Sequence, residues 1–108
     1  MTTGLSTVRD VPERERFELE VDGEPIGFVQ YRRRPGGVAF LHTEIDPGHE
    51  GSGLGGVLVA GALDEVRREG GHVLPFCPFV RSFIERHPEY LDLVPSDRRA
   101  QFGLTRDA

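Results

Sequence analysis

The stretch HEGSGLGGVLVAGALDEVRREGG, residues 49–71, decides the fold of this chain. Four of the six residues from Gly51 to Gly56 are glycines, and an apolar helical pattern follows them at once. Each glycine near a helix start costs roughly 0.5–1 kcal/mol relative to alanine, so helix propensity does not explain the run. We therefore expect that another group comes close to this part of the backbone.

The residues after the glycines predict an amphipathic helix. Its apolar positions follow the 3.6-residue period of one helix face; they are Leu54, Val57, Leu58, Gly61, Ala62 and Val66. Charged residues fill the other positions toward its end, and Gly70-Gly71 predicts where it stops. The pattern indicates a helix that packs on a sheet.

Three segments before the glycines predict strands. RFELEV (16–21) alternates apolar and charged residues, EPIGFVQYRRR (24–34) follows a tight turn, and VAFLHTEI (38–45) follows Pro-Gly-Gly. In the second strand we expect Ile26 and Phe28 on one face and Val29 on the other. The short turns predict an antiparallel meander.

Two segments after the helix predict a fourth strand and a second helix. HVLPFC (72–77) is apolar but contains Pro75, which lacks an N–H, so we expect the strand to lose its pairing there. PFVRSFIER (78–86) has the period of a helix, with a proline that is favourable in the first turn. The predicted order is β-β-β-α-β-α.

The predicted fold class is therefore α/β (α+β), with a mixed, mostly antiparallel sheet and two main helices. We expect one domain over residues 13–95, since 108 residues suffice for a single core. Residues 1–12 are predicted to be a flexible N-terminal tail. Residues 96–108 are predicted to be a polar C-terminal tail.

The composition narrows the function classes. The net charge of -5 disfavours overall attraction to nucleic acid or to an anionic membrane, and the sequence predicts neither a signal peptide nor a membrane span. The single cysteine, Cys77, excludes an internal disulfide and suits a reducing cytoplasm. We expect a cytoplasmic monomer or weak dimer without metal.

The three arginines of YRRR (31–34) predict a solvated hairpin tip, with a phosphate or acidic-substrate contact as the alternative.

The glycine loop favours an anion as its guest. Glycines between a strand and a helix let backbone amides converge on one point, where the helix dipole adds positive potential. The loop lacks the lysine of a nucleotide-binding P-loop, and the meander before it disfavours a dinucleotide fold. The alternative is that the loop is only a close-packed turn.

The order of these elements resembles a known family. HTEI (42–45), EGSGLGGVL (50–58) and HVLPFCPFVRSFIERHPEY (72–90), with their spacing, are similar to the GNAT N-acetyltransferases, in particular to the small single-domain group. The wider superfamily has Gln or Arg where this chain has Glu50. The resemblance implies an acetyl-coenzyme A site.

The resemblance also implies how the coenzyme is held. Its pyrophosphate would lie on the backbone amides of the loop, which comprises Gly51, Ser52, Gly53, Leu54, Gly55 and Gly56. Two splayed strands, 42–45 and 73–77, would receive the pantetheine arm, with Ile45 and Cys77 in contact with it. Pro75 provides a separate physical reason for the strands to separate.

Three residues are candidates for the chemistry. Cys77 lies just before a helix N-terminus, where we expect an accessible, activated thiol that protonates the leaving thiolate or carries the acetyl group. Its alternative is a small buried residue. His42 and Glu44 share one strand face and could accept a proton from the amine, or could instead anchor a loop.

The other histidines and Tyr90 are interpreted as structural residues without a role in the chemistry. His87 and Tyr90 are predicted to pack at a helix end, and His49 and His72 to lie at the surface or at a strand edge.

The hypothesis from sequence is an acetyl-CoA-dependent N-acetyltransferase. The acceptor is an unidentified amine, either a small molecule or a protein lysine or N-terminus. Two alternatives stay open: a coenzyme-binding module with little turnover, and a protein-interaction domain whose glycine loop is structural.

Overall fold

The computed structural model describes residues 5–49 and 51–104 and has a mixed α/β architecture. It contains five strands and two α-helices: β1 (Ser6–Val11), β2 (Arg16–Val21), β3 (Glu24–Arg34), β4 (Gly37–Ile45), α1 (Leu54–Arg68), β5 (Val73–Pro75) and α2 (Pro78–Arg86). Short 3-10 helices follow α2 and fill several turns. The predicted fold class is confirmed, with one strand more than expected.

The sheet has the order β1-β2-β3-β4-β5. The first four strands pair antiparallel through short connections, as the meander predicted. Strand β5 lies parallel to β4, and α1 makes the crossover between them. The sheet is therefore antiparallel except at the β5 edge.

Both α-helices contribute to one core on the same face of the sheet, which we call the helix face. The buried residues of α1 are Leu58, Val59, Ala62, Leu63 and Val66. They join Phe17, Tyr31 and Phe40 from the strands in one apolar cluster, and α2 adds Val80, Phe83 and Ile84. The opposite side, which we call the outer face, carries mostly polar side chains from β2, β3 and the second half of β4. None of the helices in the described parts of the chain is long and apolar enough to cross a membrane.

Two irregularities shift the register of the sheet. Between β2 and β3 the pairing steps from Leu19↔Gly27 to Glu20↔Pro25, which leaves Ile26 as the extra residue. Ile26 and Val29 are both buried in the core, whereas Phe28, which was expected to share a face with Ile26, is only partly buried. A second shift in β4 leaves Leu41 between the paired residues Phe40 and His42.

The residues predicted to form the N-terminal tail differ most from expectation. Ser6–Val11 form β1, which pairs with all of β2, so the tail prediction is wrong for these residues. A Cβ atom on Gly61 of α1 would lie 2.6 Å from Cγ2 of Val8, which shows how closely β1 and the helix pack. Residues 1–4 lie outside the described part of the chain.

The predicted C-terminal tail is also structured over most of its length. Ser96–Arg98 and Ala100–Phe102 form short 3-10 helices, and Phe102 and Leu104 are buried. The ring of Phe102 meets that of Phe76 edge to face at 5.0 Å, so this segment covers the sheet beside β5. The tail prediction is wrong for residues 96–104, and residues 105–108 lie outside the described range.

A buried hydroxyl ties the edge strand β1 to the rest of the sheet. Tyr31 donates a hydrogen bond of 2.5 Å to Oδ1 of Asp10, and burial together with this carboxylate raises the pKa of Tyr31 to about 12. Arg33 joins Asp10 at 3.3 Å to Glu69 at 3.1 Å, just beyond the end of α1. The network connects β1, β3 and α1.

We expect neither tyrosine to ionise near pH 10 while the protein is folded. The pKa of Tyr90 is also raised, by burial and by its hydrogen bond to Asp64. Because the pKa of Tyr31 is near 10 when unfolded and about 12 when folded, its contribution to stability is complete below pH 10 and is lost as the pH rises through 12. A spectrophotometric tyrosine titration, run beside circular dichroism, measures this. Tyrosinate absorbance at pH 10 in the folded protein would contradict it.

Candidate active site

Strands β4 and β5 separate after Pro75. Their parallel pairing runs from Val38↔Val73 to Phe40↔Pro75, and the Cys77 amide then donates a last bond of 2.8 Å to the Phe40 carbonyl. Beyond it β4 continues to Ile45, while the other chain turns into α2. The prediction that pairing is lost at Pro75 is wrong, since Pro75 is paired with Phe40; the two strands separate two residues later, where Cys77 leads into α2.

A cleft with a volume of about 520 Å³ opens at this separation, on the helix face of β4. Its walls are Thr43 and Ile45 of β4, the glycine loop before α1, and one side of α2. The lining residues with hydrogen-bonding or charged side chains are Thr43, His49, Arg86 and His87. The predicted loop and Ile45 therefore meet at one cavity.

The glycines of the loop serve two different structural purposes. Gly51 and Gly53 both have φ of +82°, the left-handed region, with open space where a side chain would lie. A Cβ on Gly55 would instead lie 2.8 Å from the ring of Phe79, so this glycine lets α2 approach α1. Close packing thus explains Gly55, while backbone conformation explains Gly51 and Gly53.

The loop leaves backbone donors free at the start of α1. The helix has no side-chain N-cap, and its first helical bond is from the Val57 amide to the Gly53 carbonyl at 3.3 Å. The amides of Leu54, Gly55 and Gly56 consequently have no acceptor within the helix. Ser52 acts inside the loop, because its hydroxyl donates to the His49 carbonyl at 2.6 Å. Glu50 lies outside the described residues.

Two side chains beside these amides fit a phosphate-bearing ligand. The Nδ1 atom of His49 is buried and has no hydrogen-bond partner among the described residues. Arg86 forms no salt bridge within the described chain and donates only to the Ser82 hydroxyl, at 3.2 Å. Free amides, an unpartnered imidazole nitrogen and an unpaired guanidinium at one cavity are the donor set of an anion site.

His49 and Arg86 are site residues that sequence reasoning missed. The prediction that His49 lies at the surface or a strand edge is wrong, since its ring lines the cleft with a buried nitrogen. Arg86 has no motif around it and is one of 13 basic residues. Only the arrival of the α2 end beside the α1 start gives it a role.

Cys77 lies next to the cleft but is buried. It is the N-cap residue of α2, as expected, yet only 3% of its surface is exposed, which differs from the accessible thiol predicted. Its Sγ lies 3.3 Å from the Thr43 hydroxyl, and Thr43 lines the cleft. The thiol is therefore connected to the cleft through Thr43.

His42 and Glu44 lie on the other side of β4. They share a face as predicted, and Nε2 of His42 is 2.8 Å from Oε2 of Glu44. That face is the outer one, where both side chains are more than half exposed. The pair is consequently separated from Thr43 and Cys77 by the strand itself.

The remaining histidine and tyrosine interpretations can be compared with their contacts. The Tyr90 hydroxyl donates to Asp64 at 2.9 Å and its ring lies 5.8 Å from that of Phe83, in agreement with packing at a helix end. The His87 ring stacks on Phe83 at 4.1 Å and also borders the cleft. Within residues 5–49 and 51–104, no group of three His, Cys, Asp or Glu side chains is placed to hold a metal ion.

Comparison with known proteins agrees with this geometry. No curated protein matches the chain. The sequence profile described as GCN5-related N-acetyl-transferase matches residues 16–93, from the start of β2 to the segment after α2, and this is well over half of the chain. The chain with this glycine loop and split sheet therefore belongs to the GCN5-related N-acetyltransferase family.

Proposed function

We propose that this protein transfers the acetyl group of acetyl-coenzyme A to an amine. The observation that carries the proposal is the cleft, which has anion-binding groups at the start of α1 and the Thr43–Cys77 pair at the split of the sheet. Family membership supports acetyl transfer in general. The identity of the coenzyme and of the acceptor class belongs to the proposal.

The residues of the cleft have separate binding roles in this proposal. The amides of Leu54, Gly55 and Gly56, with His49 and Arg86, hold phosphate oxygens by charge-assisted hydrogen bonds. Among the residues that the structure describes, no strand lies beside the backbone of residues 43–45 on the β5 side, because β5 pairs with residues 38–40. This free edge of β4 is suited to hydrogen bonds with the amide-containing arm of the coenzyme.

The chemistry is divided between the two faces of β4. Acetyl-coenzyme A supplies a thioester whose carbonyl carbon the amine attacks. On the outer face His42 accepts the proton that the amine loses, and Glu44 orients the imidazole through their 2.8 Å contact. On the helix face Thr43 and Cys77 provide the proton for the departing thiolate. In this proposal the two sides meet at the split beyond Phe40 and Pro75, the last pair of β4 and β5.

One observation favours the alternative of a coenzyme-binding module with little turnover. Cys77 is almost fully buried and does not itself border the cleft, so its proton reaches a ligand only through Thr43. A protein of this kind would bind the coenzyme through the loop, His49 and Arg86 and release no thiol. Binding and turnover must therefore be measured separately.

The test combines calorimetric titration with acetyl-coenzyme A and a thiol-release assay over a panel of amines. We expect binding, and amine-dependent release that falls in Cys77→Ala and is partly retained in Cys77→Ser, since a hydroxyl can still relay a proton. Binding without amine-dependent release would establish the module instead, and absence of binding would leave a structural glycine loop. Mass spectrometry without amine then decides whether Cys77 carries the acetyl group covalently.

A further inference from the structure

One arginine of the hairpin stands apart from its neighbours. Arg32 forms a salt bridge with Glu15, and Arg33 with Asp10 and Glu69. Arg34 has no acidic partner within salt-bridge distance in the part of the chain that the structure describes. Its side chain lines a second cavity of about 530 Å³, which is separate from the cleft at the glycine loop.

This second cavity, which we call the outer groove, lies on the outer face. Its apolar lining comes from Ala39 and Leu41 of β4 and from Leu74 and Phe76 of the β5 segment. The alternation of the strand turns Ala39, with its partner Leu74, to the side opposite Val38 and Phe40, and both Ala39 and Leu74 are buried there. The segment after residue 95 supplies Arg98 as a further wall.

The two basic side chains of the outer groove lie at one end of it. A Cβ on Gly36, in the β3–β4 turn next to Arg34, would be 3.8 Å from Nη1 of Arg98. Arg98 donates its Nε to Gln101 at 2.6 Å and forms no salt bridge among the described residues. Two guanidinium groups beside one turn without a carboxylate between them favour an anion.

The other end of the outer groove reaches the split of the sheet. Phe40 and Pro75 are the last residues that pair between β4 and β5. Leu41 and Phe76, which line the groove, directly follow them in the sequence. Their side chains are 38% and 41% exposed, so the groove is open to a ligand there. The next residue of β4 is His42, the proposed base. Gly36 and Leu41 are five residue steps apart along the chain, a span of roughly 16 Å.

We propose that the outer groove binds the acceptor, and that the acceptor is a primary amine joined by an apolar body to a carboxylate. This inference rests on the proposed function. Arg34 and Arg98 hold the carboxylate, the apolar floor covers the body, and the amine lies at the split beside His42. There the nitrogen forms its bond to the thioester carbonyl carbon, the carbon–sulfur bond breaks, His42 takes the amine proton and the thiolate is protonated from the helix face.

The first test measures binding without any catalysis. Octanoate has the carboxylate and the apolar body but no amine to acetylate. We expect it to shift the amide resonances of Leu41 and Phe76 in the ¹⁵N-labelled protein, with affinity reduced about tenfold in Arg34→Gln and in Arg98→Gln. The control Arg68→Gln removes one charge from the last residue of α1, which does not line the outer groove, and should bind octanoate as the wild type does.

The second test measures selectivity. We expect ω-aminooctanoate to have a kcat/KM about tenfold above that of octylamine, which lacks the carboxylate, and this ratio to fall toward one in the Arg34→Gln, Arg98→Gln double variant. The inference would be overturned if octanoate shifted amide resonances elsewhere in the protein, if all variants bound octanoate equally, or if the protein preferred octylamine as acceptor. Octanoate binding in the groove with no turnover of any amine would instead count against the proposed function and leave the carboxylate site standing.

Discussion

Replacing Arg86 with glutamate is expected to weaken the binding of acetyl-coenzyme A by about 100-fold or more. Arg86 lines the cleft and has no acidic partner in the described chain, so its charge is free for a phosphate. The substitution removes a charge-assisted hydrogen bond and adds repulsion between two anions. Calorimetric titration at low ionic strength measures the change, and added salt should narrow the difference from the wild type.

The fold should survive this substitution, because Arg86 is exposed at the end of α2 and its only hydrogen bond among the described residues is to Ser82. Arg68→Glu is the matched control: it makes the same charge change on α1, away from the cleft. Arg86→Lys should keep part of the affinity, since it keeps the charge but not the guanidinium geometry. Equal affinity in wild type, Arg86→Glu and the control would contradict the placement of a phosphate beside α2.

Replacing His42 with alanine is expected to lower kcat by about 100-fold and to leave the affinity for acetyl-coenzyme A unchanged. A general base contributes roughly 100- to 10,000-fold to a rate. His42 lies on the outer face, while the cleft lies on the helix face, so the loss should appear in turnover alone. Rates with saturating coenzyme and a titration of the same variant measure the two quantities.

Chemical rescue separates a base from a structural side chain. Added imidazole should restore part of the His42→Ala rate, because the side chain it replaces is more than half exposed. Glu44→Gln should have a smaller effect than His42→Ala, as Glu44 only orients the ring. Full activity in His42→Ala would place the base elsewhere and would remove the reason for locating the acceptor on the outer face.

The elements that sequence patterning predicted well are those with many apolar positions. Strand β3 and helix α2 have the predicted bounds, since turns, glycines and prolines limit both. Strand β1 was missed because STVRDV offers only Val8 and Val11 as apolar residues. As an edge strand with one neighbour, it is held by backbone pairing and by the contact of Val8 with Gly61, neither of which leaves a periodic pattern.

The candidate site likewise has features that the sequence could predict and features that it could not. The glycine loop depends on local backbone chemistry, so it could be predicted. The place where β4 and β5 separate could not be read from Pro75, because the pairing ends only where Cys77 leads into α2. Which face of β4 carries His42 could not be predicted either, because the shift at Leu41 and the side chosen by both helices decide it. His49 and Arg86 depend on how two distant helix ends meet, which no short stretch of sequence encodes.

The start of α2 directly after Cys77 has one more consequence, which concerns preorganisation. A chain that continued as a strand after Cys77 could extend the ladder along β4, and a ligand would then have to break those hydrogen bonds before it could enter. Because the chain turns into α2 after Cys77 instead, the edge of β4 from Thr43 to Ile45 is already without a strand partner on that side in the folded chain. The free energy of folding thus already includes the separation of the two strands, so binding of the ligand does not have to supply free energy to open the sheet.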